Sequence, residues 1–148
     1  MKHAKSALVV AIAGALSVTA CGKEIGRAPL TEPGKAEVTV QATGGKKLAL
    51  WTQLDIEYSG RFEAQYTVQL VQDGAVVDKT VCNPLDVNVK VKSLETNLGG
   101  NRKVSYSGKM KCELTPKSTG PATVKIALAY GSTPPALRVS DMSLVVKE

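Results

Sequence analysis

The chain has 148 residues, 43 % of them hydrophobic, and carries 19 Lys+Arg against 13 Asp+Glu for a formal charge of +6. That length supports one compact domain and falls short of two well-cored ones, and the balance of apolar and charged residues excludes both a wholly disordered chain and a multi-span membrane protein. His occurs once, as His3, and Cys three times, as Cys21, Cys82 and Cys112, so four positions bound much of the available chemistry.

The first twenty residues begin with Lys2 and Lys5, continue through an apolar stretch from Ala7 to Leu16, and end in the small-residue segment Ser17-Val18-Thr19-Ala20 before Cys21. A cationic start, a short apolar segment and small residues at a cleavage point make a secretory signal. The apolar stretch is about half the roughly 20 residues that cross a bilayer, which argues against a permanent transmembrane helix. Val18-Thr19-Ala20-Cys21 also resembles the lipobox of bacterial lipoproteins. The resemblance implies removal of residues 1–20, diacylglycerol on the Cys21 thiol and acylation of the new amine. Two or three acyl chains hold a domain essentially permanently, because each buried methylene contributes about 0.8 kcal/mol. Gly22 stands where an inner-membrane retention signal would have Asp, so the implied location is the cell envelope, at the outer membrane. The alternative is an ordinary cleaved signal that leaves Cys21 as a stray thiol.

Cleavage before Cys21 discards the only histidine. Without His there is no Ser-His-Asp or Cys-His nucleophile, no imidazole base and no imidazole metal ligand. Asp73, Asp78 and Asp141 are scattered, with no EF-hand spacing, and Gly44-Gly45 and Gly99-Gly100 lack the helix and motif of a phosphate loop, so no metal or cofactor is expected. In an oxidising compartment Cys82 and Cys112 are expected to form one disulfide. A redox-active pair would need a Cys-x-x-Cys spacing that is absent.

Residues 21–35 carry Gly22, Gly26, Pro29, Pro33 and Gly34 among charges without apolar periodicity, which predicts a flexible tether. From Ala36 to Glu148 the dominant period is two, the signature of strands with one buried face. Ala36-Val38-Val40-Ala42 alternates with polar residues and stops at Gly44-Gly45. Leu48, Leu50, Leu54, Ile56 and Tyr58 share a parity, and Phe62, Ala64, Tyr66, Val68 and Leu70 share the next. Asp73-Gly74 predicts a hairpin turn into Val76–Val81. Val87, Val89 and Val91 alternate with Asn88, Lys90 and Lys92, which predicts valines inside and lysines outside. Val104, Tyr106, Gly108, Met110, Cys112 and Leu114 form the longest alternation and point Cys112 inward. Val124-Ile126-Leu128-Tyr130 follows, and Pro134-Pro135 precedes a last strand or two through Leu137, Val139, Leu144 and Val146. No stretch holds the three-four spacing of an amphipathic helix. The reading is an all-β, antiparallel β-sandwich, jelly-roll-like, with about eight strands and one disulfide. A membrane barrel is disfavoured by having only six aromatic residues for its girdles.

Two surfaces are candidates for function. On the outward face of the second predicted strand, Trp51, Gln53, Asp55 and Glu57 fall in line about 7 Å apart, and an aromatic beside hydrogen-bonding groups is how protein surfaces hold sugars. The same positions offer Asp55 and Glu57 as a carboxylate pair for an envelope glycosidase, although such pairs normally flank the sugar from different elements. The competing account is that Trp51 packs under a loop and the carboxylates solvate the sheet.

The second surface follows from segregated charge. Residues 48–86 hold Arg61 and Lys79 against six acidic residues, and residues 87–125 hold seven lysines and Arg102 against Glu95 and Glu113. Lys90, Lys92, Lys103, Lys109 and Lys111 form a predicted basic patch for anionic lipid, acidic envelope glycan or an acidic envelope protein. Lysines that keep exposed strand edges apart are the plainer account. No aromatic groove for nucleic acid is interleaved with them, and none is expected as a partner. The function expected is therefore a membrane-anchored, non-catalytic binding or structural module. A jelly-roll carbohydrate-binding module is the alternative, to which the closing run Leu137–Val146 has a loose likeness.

Overall fold

The computed structural model describes residues 22–148. Cys21, and with it the expected lipobox and signal segment, lies outside the described residues. Nine strands follow one another: β1 (Glu24–Pro29), β2 (Gly34–Ala42), β3 (Leu48–Ser59), β4 (Glu63–Gln72), β5 (Ala75–Cys82), β6 (Val87–Leu98), β7 (Asn101–Leu114), β8 (Gly120–Ser132) and β9 (Arg138–Lys147). One sheet has the order β1-β9-β3-β7-β6 and the other β2-β8-β4-β5, and all seven strand pairings are antiparallel. With β6 set aside, two four-stranded sheets remain, and the chain passes from one to the other at every connection except the β4–β5 hairpin. That is a jelly-roll order with one strand added at an edge.

Alternation builds the core as expected. Leu48, Leu50, Leu54, Ile56 and Tyr58 of β3 face Ala64, Tyr66, Val68 and Leu70 of β4 across the gap, joined by Val124, Ile126 and Leu128 of β8 and Met142, Leu144 and Val146 of β9. Each such side chain contributes about 1.5–3 kcal/mol over its exposed state. The Asp73-Gly74 turn has φ of 51° and 76°, both left-handed, as a two-residue hairpin whose twist matches its strands requires. At the same end, buried Gln72 donates to the Ser118 carbonyl (2.8 Å) and accepts from the Lys117 backbone N–H (2.8 Å), closing the sandwich without an orphaned amide.

Cys82 at the end of β5 is bonded to Cys112 in β7, with Cα atoms 5.6 Å apart, and so links the two sheets at one corner. A closed loop spanning 30 positions stabilises the fold by about 3–4 kcal/mol in the chain-entropy account. The Tyr106 hydroxyl donates to the Pro84 carbonyl beside that corner.

Two expectations are corrected. Residues 21–35 are not a tether throughout, because Glu24–Pro29 forms β1, the edge strand beside β9. A register shift between Glu24 and Gly26 breaks the alternation that would have marked it. Gly26 is the position where β1 meets β2: a Cβ there would lie 2.6 Å from Val40 Cγ1, so only glycine lets the strands approach so closely. The second correction concerns β6, which lies beyond the corner where β5 and β7 meet and is exposed along its length from Asn88. A register shift between Val87 and Val89 turns Val89 and Val91 to the outer face of the sheet and Lys90 to the inner side, against the Tyr106 ring (5.0 Å) and Glu95 (2.9 Å). A second shift follows Val91, where Lys92 has φ of 53°.

Candidate ligand-binding surface

The outer face of the five-stranded sheet carries Trp51, Gln53, Asp55 and Glu57 in one line along β3, as their parity predicts. Neighbouring strands then decide what each can do. Trp51 is 1 % exposed although it lies outside the inter-sheet core. Val145 of β9 and Lys109 of β7 flank it in register, and the Lys147 ammonium sits 4.0 Å from its ring centroid. A cation over the ring face is held by the ring's quadrupole at about 0.5–2 kcal/mol, and here it covers the surface on which a sugar would stack. The stacking platform expected at Trp51 is therefore not presented.

Gln53 and Glu57 are also engaged. Arg27 of β1 donates from Nη1 to Gln53 Oε1 at 2.5 Å and is paired with Glu24 through Nη2 at 2.8 Å. That hydrogen bond from Arg27 holds the Glu24 carboxyl below its ordinary value, against a smaller opposing effect of burial. Glu57 accepts from Asn101 Nδ2 at 2.6 Å. Asp55 stands in register with Asp141 of β9 and Ser105 of β7, and Asp141 accepts from the Ser143 hydroxyl at 2.8 Å. Asp55, Asp141, Ser105 and Lys92 line a shallow depression of about 180 Å³. The carboxylates thus lie side by side on one sheet face, whereas glycosidase pairs flank the bond they cleave. Among the described residues, no group of three or more His, Cys, Asp and Glu could hold a metal ion.

The five lysines of the predicted patch do not act as one. Lys90 is on the inner side of the sheet, bound to Glu95, and Lys111 is paired with Asp86 at 2.7 Å. Lys92 leans into the Asp55–Asp141 depression, and Lys103 lies opposite Glu57 in register. Lys109 instead joins two lysines that sequence periodicity did not single out. Lys47, Lys109 and Lys147 line a cleft of about 290 Å³ with Trp51, Ala49, Val89, Glu148 and Gly22. A signal for it was available in the contiguous apolar run Leu144-Val145-Val146: a strand buried on both faces implies cover on its outer side, and Trp51 lies directly beside Val145.

The Glu148 side chain, at the edge of this cleft, is held by other partners. Its carboxylate accepts from the Thr43 N–H (3.2 Å) and hydroxyl (3.3 Å) and lies 3.6 Å from Lys46 Nζ. Its backbone exchanges two 2.9 Å hydrogen bonds with Lys23, fixing the first described residues against the last strand. Lys47 is bridged to Glu113 at 3.0 Å in an exposed pair that contributes little.

Three buried polar atoms, Trp51 Nε1, Thr52 Oγ1 and the Tyr66 hydroxyl, make no hydrogen bond of ordinary geometry among the described residues. Thr52 and Tyr66 face each other in the core. Burial pushes the Tyr66 hydroxyl well up, and the nearby Thr52 hydroxyl offsets a smaller part of that shift, so Tyr66 stays a neutral phenol. Neither a search of protein-family models nor one of curated proteins found a match.

Proposed function

We propose that this chain is a bacterial lipoprotein, acylated at Cys21 and held at the cell envelope, whose sandwich is a non-catalytic binding or structural module. The observation that carries the reading is the sequence Val18-Thr19-Ala20-Cys21 placed directly ahead of the first strand. Cutting before Cys21 leaves all nine described strands in the chain, since β1 begins at Glu24. Gly22 after the cysteine favours the outer membrane. A binding role is favoured over catalysis because Gln53 and Glu57 are bonded within the protein and the carboxylates of the outer face lie side by side. The partner class is an envelope lipid, glycan or protein, and nucleic acid is not among them.

Labelled palmitate fed to cells expressing the chain tests this directly. The wild-type protein is expected to carry the label, and Cys21→Ala to lose it and retain residues 1–20. An unlabelled wild-type chain, or a label that survives the substitution, overturns the reading.

A further inference from the structure

We propose that the cleft formed by Lys47, Lys109 and Lys147 over Trp51 binds the phosphodiester headgroups of anionic phospholipids in the membrane that holds the chain. The inference rests on the lipoprotein reading for its location and on the cleft for its chemistry. Gly22 lines the cleft, so a lipid on the preceding residue is fastened one peptide unit, about 3.8 Å between Cα atoms, from its rim. Headgroups are then the most concentrated ligand at that point of the surface.

The cleft suits them. Lys109 and Lys147 make no ion pair within 4 Å among the described residues, and Lys47 is held only by an exposed bridge that a phosphate can replace. Lysine acts as a compact point charge toward phosphate and needs no fixed fork geometry. The single acidic residue lining the cleft, Glu148, is already bound to Thr43 and Lys46. Trp51 supplies an amphipathic ring of the kind that collects at membrane–water interfaces, and its indole N–H has no acceptor among the described residues. Lys147 covers that ring, so its movement toward a phosphate uncovers the indole for the interface. Val89 extends the apolar part of the rim along β6.

Residues 22–148, which contain all nine strands, give a lipid-free protein for the test. Binding is measured to vesicles of phosphatidylcholine alone and of phosphatidylcholine mixed with phosphatidylglycerol, with brominated lipid quenching the sole tryptophan, Trp51. Anionic vesicles are expected to bind about tenfold or more tightly than neutral ones and to quench Trp51, with Lys109→Gln/Lys147→Gln reducing that binding by about tenfold. Both lysines lie on the surface, and an unchanged melting temperature confirms that the double variant folds. Equal binding to both vesicles, or full binding by the double variant, overturns the proposal. A Trp51 response to soluble glycerol phosphate without vesicle binding overturns it as well, by assigning the cleft to a free phosphate. Failure of the acylation reading is seen separately, in the palmitate experiment, and leaves the vesicle result intact.

Discussion

The two edges of the five-stranded sheet differ in a way that their sequences invert. β6 reads as a well-patterned strand with valines for the core, and β1 as an irregular Gly- and Pro-containing spacer. In the fold β1 is the covered edge: Ala28 is buried, Gly26 is pressed against Val38 and Val40 of β2, and Arg27 reaches over the outer face to Gln53. β6 is the uncovered one, with Leu94 57 % and Leu98 78 % exposed. Period two tells which residues share a face; whether another layer covers that face is decided by strands far away in the chain. β1 has β2 close beside it, and β6 lies outside the corner closed by Cys82 and Cys112. An exposed apolar edge of this length would invite pairing with another chain, and Lys90, Lys92 and the two register shifts of β6 are features that discourage it.

That contrast can be broken by substitution. Gly26→Ala is expected to destabilise the protein by about 1–3 kcal/mol, because the added methyl meets a stiff, buried Val40. If residues 22–35 were a tether, the same change would be neutral or slightly stabilising, so a denaturant midpoint distinguishes the two by sign. Leu94→Ala, a large truncation on the opposite edge, is expected to shift stability by no more than about 0.5 kcal/mol by the same measurement. A loss of about 2 kcal/mol would mean that β6 is covered after all.

The smallest effect is at Arg27→Ala, an exposed pair expected to contribute below about 0.5 kcal/mol at neutral pH. Because Arg27 holds the Glu24 carboxyl below its ordinary 4.5, the contribution is present above that pH and fades as pH falls through the depressed value. Wild type and Arg27→Ala should therefore converge in acid, and a gap that persists below that range would assign the loss to the Gln53 contact instead.

Sequence periodicity identified the all-β class, the inward faces of β3, β4, β7 and β8, the Asp73-Gly74 turn and the pairing of Cys82 with Cys112, because each depends on local alternation or on a count of cysteines. It aligned Trp51, Gln53, Asp55 and Glu57 on one outer face as well. It did not reach the cover over Trp51, since Lys147 and Lys109 come from strands distant in sequence and meet β3 only through the sheet order. Nor did it separate Lys90 from Lys109, because the register shift at Val87 leaves no mark in composition.

The reciprocal hydrogen bonds between Lys23 and Glu148 place the start of β1 and the end of β9 at the same end of the sandwich. A pull on residue 22 directed away from the domain therefore runs along β1. Its hydrogen bonds to β9 lie across that direction, so the load falls on the whole ladder at once and does not open it one bond at a time. The shortest strand of the fold would thus bear a pull on the domain in shear.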